Sequence, residues 1–185
     1  MKKQASDAGS RKPRRIQNYF WVRAKRSVIA DHDEVRWLRI GDLKAICPLA
    51  RPVVLVNGTF DLCHSGHKKL LFEARSQAGD GGTVVVAMDS DTRVSTAKGA
   101  DRPILNFIER SVDLEFMPID YLVEIDSDKE MRKLMELVRP DLRVQGSDYA
   151  AEPTKFPEVR KALLPRRGLS TSEIIRRIRE SEGGS

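Results

Sequence analysis

Apolar positions along the chain fall into continuous runs and helical stripes, and the two alternate. Val53 to Val56 is β-branched, unbroken and bounded by Pro52 and Asn57-Gly58, the pattern of a strand buried on both faces of a parallel sheet. Thr83 to Met88 repeats that pattern after Gly79-Asp80-Gly81-Gly82. Between them Leu70, Leu71, Ala74 and Ala78 recur on one helical face, giving a strand, helix, strand unit. Farther along, Leu105 to Met117 predicts a helix and Tyr121 to Ile125 a third strand. Ser127 to Val138 is an amphipathic helix capped by Ser127 or Asp126, with Met131, Leu134, Leu137 and Val138 inward and Pro140 as its stop. Leu142 to Val144 predicts a fourth short strand, Glu158 to Leu163 is ambiguous, and Ser170 to Ser181 is a last helix. Residues 40–46 read as a short helix beginning near Gly41 or Asp42, and residues 89–102 as a polar loop. The alternation predicts an α/β fold, a doubly wound parallel sheet of about five strands with its ligand crevice at the carboxyl ends of the strands. No internal repeat is visible.

Composition narrows the setting. With 185 residues, 40% of them hydrophobic, the chain has enough apolar material for one core, and its apolar runs are too short to cross a bilayer, so no membrane partner is expected. The basic N-terminus lacks the apolar stretch of a signal peptide, and Cys47 and Cys63 are too few for a disulfide framework; both point to a cytoplasmic protein. The net charge of +6 is concentrated: residues 1–26 hold nine Lys or Arg against Asp7 alone, leaving 24 basic and 26 acidic residues in the rest. A basic N-terminal extension, 1–33, therefore precedes a domain, 34–185, that carries no global nucleic-acid-binding charge. The extension, with Tyr19, Phe20 and Trp21 among its cations, could contact nucleic acid or an acidic partner, or simply be solvated.

The chemistry concentrates in Asn57-Gly58-Thr59-Phe60-Asp61-Leu62-Cys63-His64-Ser65-Gly66-His67, where a strand hands over to a helix. Backbone N–H groups of a first helical turn favour an anion, and phosphate is the natural occupant. His64 and His67 fall on the same side of that turn, with Gly66 between them leaving the backbone open to a ligand. A metal site would need more ligands than Cys63, His64 and His67, and only Cys47 and His32 remain to supply Cys or His, so no protein-held metal is expected. Cys63 reads as an apolar filler.

The run Gly58-Thr59-Phe60-Asp61 followed by His64-Ser65-Gly66-His67 resembles the G-x-F-D and H-x-G-H signature of the cytidylyltransferase-like nucleotidyltransferases. Ser90-Asp91, Lys98-Gly99, Arg102-Pro103 and Glu109-Arg110 resemble the ordered loop and helix start of that family, Gly146-Ser147-Asp148-Tyr149 its segment after strand four, and Gly168 to Ile175 its terminal helix opening. Together these motifs span about residues 37 to 180. Within the family the chain is most similar to the heptose 1-phosphate adenylyltransferase domain of ADP-heptose synthesis, and less so to the glycerol-3-phosphate cytidylyltransferases. It departs at Gln145, where the heptose enzymes usually carry Lys, and in a loop before Gly168 about one residue shorter than that of the cytidylyltransferases.

The resemblance implies a Rossmann-like nucleotidyltransferase fold of the HUP type. It also implies transfer of a nucleoside monophosphate from a nucleoside triphosphate, ATP favoured, to a sugar or polyol phosphate, with Mg²⁺ carried by the triphosphate and pyrophosphate released. His64, His67 and Lys98 are the implied catalytic residues. Gly58, Thr59, Phe60, Gly66, Arg110, Ser170 and Thr171 are implied for the phosphate chain, and Gly146, Asp148 and Tyr149 for the nucleoside end. A homodimer is implied as well. The residues also admit plainer roles: Lys98 and Arg102 as solvated charges, Ser170 as a helix cap with Glu173, Asp61 as a brace of its own turn and Asp148 as a turn former. A catalytically weak homologue that binds nucleotide and docks through the basic extension is the alternative from another class.

Overall fold

A computed structural model describes residues 36–147, 159–165 and 170–182. The basic extension, 1–33, lies outside the described residues, as do Asp148 and Tyr149. Six parallel strands form one sheet in the order β1-β4-β3-β2-β5-β6, where β1 is Arg36–Leu38, β2 Val53–Gly58, β3 Thr83–Asp89, β4 Tyr121–Ile125, β5 Leu142–Gly146 and β6 Arg160–Leu164. The continuous apolar runs are the central strands: Val53 to Val56 and Val84 to Met88 are buried on both faces.

Helices cover both faces. On one, α1 (Ser65–Ala78) and α3 (Phe107–Glu115) pack Leu71, Ala74, Phe107 and Leu114 onto Val54, Val56, Val84, Val86 and Val144. On the other, a 3₁₀ turn (Asp42–Ala45) and α4 (Asp128–Val138) bring Leu43, Met131, Leu134 and Val138 against Val53, Leu55, Val85 and Val123. The chain runs from β2 through β3 and β4 to one side and places β5 and β6 on the other, so the strand order reverses beside β2. That is the switch point at which a crevice opens in such sheets. Close packing at the opposite end depends on Gly82, where a Cβ would sit 2.2 Å from the Ala78 carbonyl oxygen and 2.6 Å from that of Pro52.

Three elements differ from the sequence pattern. Residues 91–98, expected in a polar loop, form the helix α2 (Asp91–Lys98), whose Ser90 cap accepts the Arg93 N–H at 3.1 Å. It hides only Val94, too little apolar surface to show as a stripe. Strand β1 is a sixth member of the sheet, a three-residue edge whose Trp37 stacks on Phe107 at 5.1 Å between ring centroids. The ambiguous segment before residue 164 is β6, paired to β5 from Leu142↔Arg160 to Gly146↔Leu164. Among the described residues no helix is long and apolar enough to cross a membrane.

Candidate active site

The crevice at the ends of β2 and β5 gathers residues that are far apart in sequence. Gly58, Thr59, Phe60, His64, Gly66, His67, Lys98, Gly146, Ser170 and Thr171 all line one cavity. The turn after β2 shapes its floor. Phe60 and Leu62 adopt positive φ, 55° and 48°, and the Phe60 ring lies so near Gly58 that a Cβ there would meet it at 3.3 Å. Phe60 is buried, so its side chain props the loop at the cavity's edge.

His64 is the N-cap of α1. Its Nδ1 accepts the Gly66 N–H at 3.1 Å, which places the proton of the neutral ring on Nε2. His67 Nδ1 accepts the His64 N–H in the same sense at the longer distance of 3.5 Å. The two rings stack with centroids 4.0 Å apart and planes 25° from parallel, and the Phe60 ring lies 5.2 Å from that of His67. The backbone of the first helical turn thus sets the tautomer of the rings, so that each carries its N–H on the nitrogen turned away from the cap.

Lys98, the last residue of α2, reaches across to donate from Nζ to Thr59 Oγ1 at 2.9 Å. Burial and the neighbouring Arg102 guanidinium pull its ammonium below the ordinary lysine range, against the opposing pull of Asp89 and Asp61. Asp61 does not face the cavity as a free carboxylate. Its Oδ2 accepts from Arg102 Nε at 2.9 Å and Nη2 at 2.6 Å, and its two oxygens take the N–H groups of Ile104 and Leu105 at 3.0–3.1 Å. Its carbonyl oxygen accepts from Thr171 Oγ1 at 2.7 Å, so one residue braces both the α2–α3 segment and α5 (Thr171–Glu182). Ser170 caps α5 by accepting the Glu173 N–H at 3.1 Å, while the Glu173 carboxylate is turned to Arg176 and Arg177.

Arg110 is placed elsewhere than the resemblance implies. It is fully buried behind the cavity wall and absent from the lining. Its guanidinium donates to the carbonyl oxygens of Thr59 and Asp89, the latter at 2.8 Å, and to Asp91 Oδ1 at 2.7 Å. A forked cation in that position holds the β2 and β3 ends together; it does not meet the cavity. Conversely, Lys69 lines the cavity, one helical turn beyond Gly66 on the same side of α1, and that i to i+3 spacing is the sequence signal that could have found it.

A parallel sheet whose switch point carries paired histidines at a helix N-terminus, faced by cations and a second helix N-terminus, defines a class of α/β proteins that bind phosphate chains. The chain belongs to the cytidylyltransferase-like family, whose model matches residues 55–177. It is 34% identical over 136 residues to the bifunctional protein HldE of Campylobacter curvus (strain 525.92), covering 71% of this chain and 28% of that protein. It is 39% identical over 139 residues to the bifunctional protein HldE of Citrifermentans bemidjiense, again covering 71% and 28%. The chain thus spans about 28% of the length of these curated relatives. Among solved structures, the crystal structure of a macrolide-efflux protein from Streptococcus pneumoniae superposes with a TM-score of 0.58 at 19% identity, over 80% of this chain and 57% of that one; the likeness is one of fold alone. Family and relatives together support nucleotidyltransferase activity.

Proposed function

We propose that this domain transfers a nucleoside monophosphate from a nucleoside triphosphate, ATP favoured, to a sugar or polyol phosphate and releases pyrophosphate, as in ADP-heptose synthesis. The observation that carries the reading is the convergence of the stacked His64–His67 pair, Lys98 and the α5 N-terminus on one crevice. An oxygen of the acceptor phosphate attacks the α-phosphorus in line. The new P–O bond forms as the bond to the bridging oxygen breaks, and that oxygen leaves with its electron pair on pyrophosphate. No covalent enzyme intermediate is required. His64 and His67 donate from Nε2 to α-phosphate oxygens as charge builds there. Thr59 and Phe60 offer backbone N–H groups, Lys98 neutralises a neighbouring phosphate, and Ser170 and Thr171 supply donors for the leaving pyrophosphate. Magnesium enters with the substrate as Mg·NTP. Among the described residues no group of three His, Cys, Asp or Glu side chains is placed to hold a metal ion.

The test is pyrophosphate release by the purified protein with Mg²⁺, each of ATP, CTP, GTP and UTP, and a panel of phosphomonoesters that includes heptose 1-phosphate and glycerol 3-phosphate. Turnover with ATP and a sugar phosphate is expected. Turnover only with CTP and glycerol 3-phosphate would replace this reading by the cytidylyltransferase, and binding without turnover on any pair would favour a nucleotide-binding homologue.

A pH profile addresses Lys98 directly. Its ammonium must be charged to hold phosphate oxygen, and its pKa is lowered, so kcat/KM is expected to fall on the alkaline side before the ordinary lysine value of about 10.4 is reached. In Lys98→Arg the cation persists, and that alkaline limb should vanish while the rate drops because a planar fork replaces a point charge. Superposable profiles for the two proteins would remove Lys98 from the reaction.

A further inference from the structure

Gln145 stands near the carboxyl end of β5 on the face that also carries Arg143, and it lines the crevice. The residue is 9% exposed, and its Oε1 is buried with no hydrogen-bond partner among the described residues. Asn57, which shares that part of the lining, already accepts from Arg143 Nη2 at 2.8 Å through its Oδ1. A buried amide oxygen left unsatisfied destabilises the fold unless a ligand completes it.

The charge of the lining says which part of a ligand lies there. Among the described residues its cations, Lys69, Lys98 and Arg102, come from α1 and from the segment after β3. What β5 and β6 contribute is neutral: Gln145, Gly146 and Leu164. A polyphosphate belongs among the cations, and the uncharged portion of the same molecule belongs over β5 and β6. We infer that Gln145 is a nucleoside-binding residue, its amide oxygen accepting a hydrogen bond from an N–H or O–H donor of the nucleoside seated over the ends of β5 and β6. The inference rests on the nucleotidyl-transfer reading and adds to it which side chain grips the nucleoside.

Gln145→Met removes the acceptor and keeps the shape, and three measurements on the full chain test it. The melting temperature without ligand is expected to rise, because a buried unsatisfied oxygen is replaced by apolar surface. Calorimetric affinity for the preferred Mg·NTP is expected to fall about three- to tenfold, the range of one lost neutral hydrogen bond. Affinity for inorganic pyrophosphate, which has phosphates and no nucleoside, is expected to stay unchanged. A lower melting temperature would make Gln145 a structural residue and overturn the inference. Unchanged nucleotide affinity, or an equal loss for pyrophosphate, would overturn it too. A wild-type protein that binds none of the four nucleotides would instead bring down the nucleotidyl-transfer reading, and this inference with it.

Discussion

His67→Ala is expected to lower turnover by roughly a hundredfold or more, the cost of removing one preorganised donor from developing charge. Of the two histidines it is the cleaner one to remove. His64 caps α1 through Nδ1 and is almost wholly buried, so its loss would also cost a cap, about 1 kcal/mol of stability. His67 is half-buried, and its Nδ1 meets the His64 N–H only at the long distance of 3.5 Å. Its loss should therefore act on the rate and leave the melting temperature close to wild type. Because the donor meets charge that grows along the reaction, kcat should fall far more than the KM for the nucleotide rises. Steady-state pyrophosphate release and a thermal melt on the same preparation check both statements. Wild-type rates in the variant would mean that the reacting phosphorus lies elsewhere.

Much of this site could be read from the chain because its signals are local. The β-branched run ending at Asn57-Gly58, followed by two histidines at helical spacing, specifies a strand, a tight turn and a helix N-terminus within fifteen residues. Caps were legible for the same reason: Ser127 and Ser170 each accept an N–H three residues on. What could not be read is long-range or apolar-poor. Helix α2 buries Val94 and little else, so its residues looked like a loop. Strand β1 is three residues long, and its place is set by a partner in β4, not by any pattern of its own. The burial of Arg110 is invisible along the chain, where an arginine beside a glutamate looks like a surface cation. Its partners are the carbonyl oxygens of two strand ends and Asp91, and they converge only once β2 and β3 are paired.

Asp61 belongs to the same long-range group, and its removal should have the largest effect on stability. It lies 41 residues from Arg102, yet two guanidinium N–H groups converge on its Oδ2, in a pair whose carboxylate is 1% and whose guanidinium is 11% exposed. Deleting one partner of so buried a pair strands the other and typically costs about 3–5 kcal/mol. Asp61→Ala also orphans the N–H groups of Ile104 and Leu105. Asp61→Asn retains an oxygen for those N–H groups and loses the charge opposite Arg102, so its loss should be smaller. Burial alone would raise the Asp61 pKa, but the two N–H groups and the Arg102 guanidinium outweigh it and hold the carboxyl below its ordinary value. A carboxyl with a depressed folded pKa contributes stability that is complete above the unfolded value, about 3.9, and is lost as pH falls through the folded one. Wild-type stability should therefore decline below that pH by a component that Asp61→Asn lacks. Urea unfolding at neutral pH and across the acid range measures both effects, with the slope m constant if only stability has changed. Turnover should fall in parallel, since Arg102 lines the crevice and Thr171 is held by the Asp61 carbonyl. An Asp61→Ala protein that unfolded at the wild-type urea concentration would show that the α2–α3 segment is held by other contacts, and the crevice would then owe its shape to the β2–α1 turn alone.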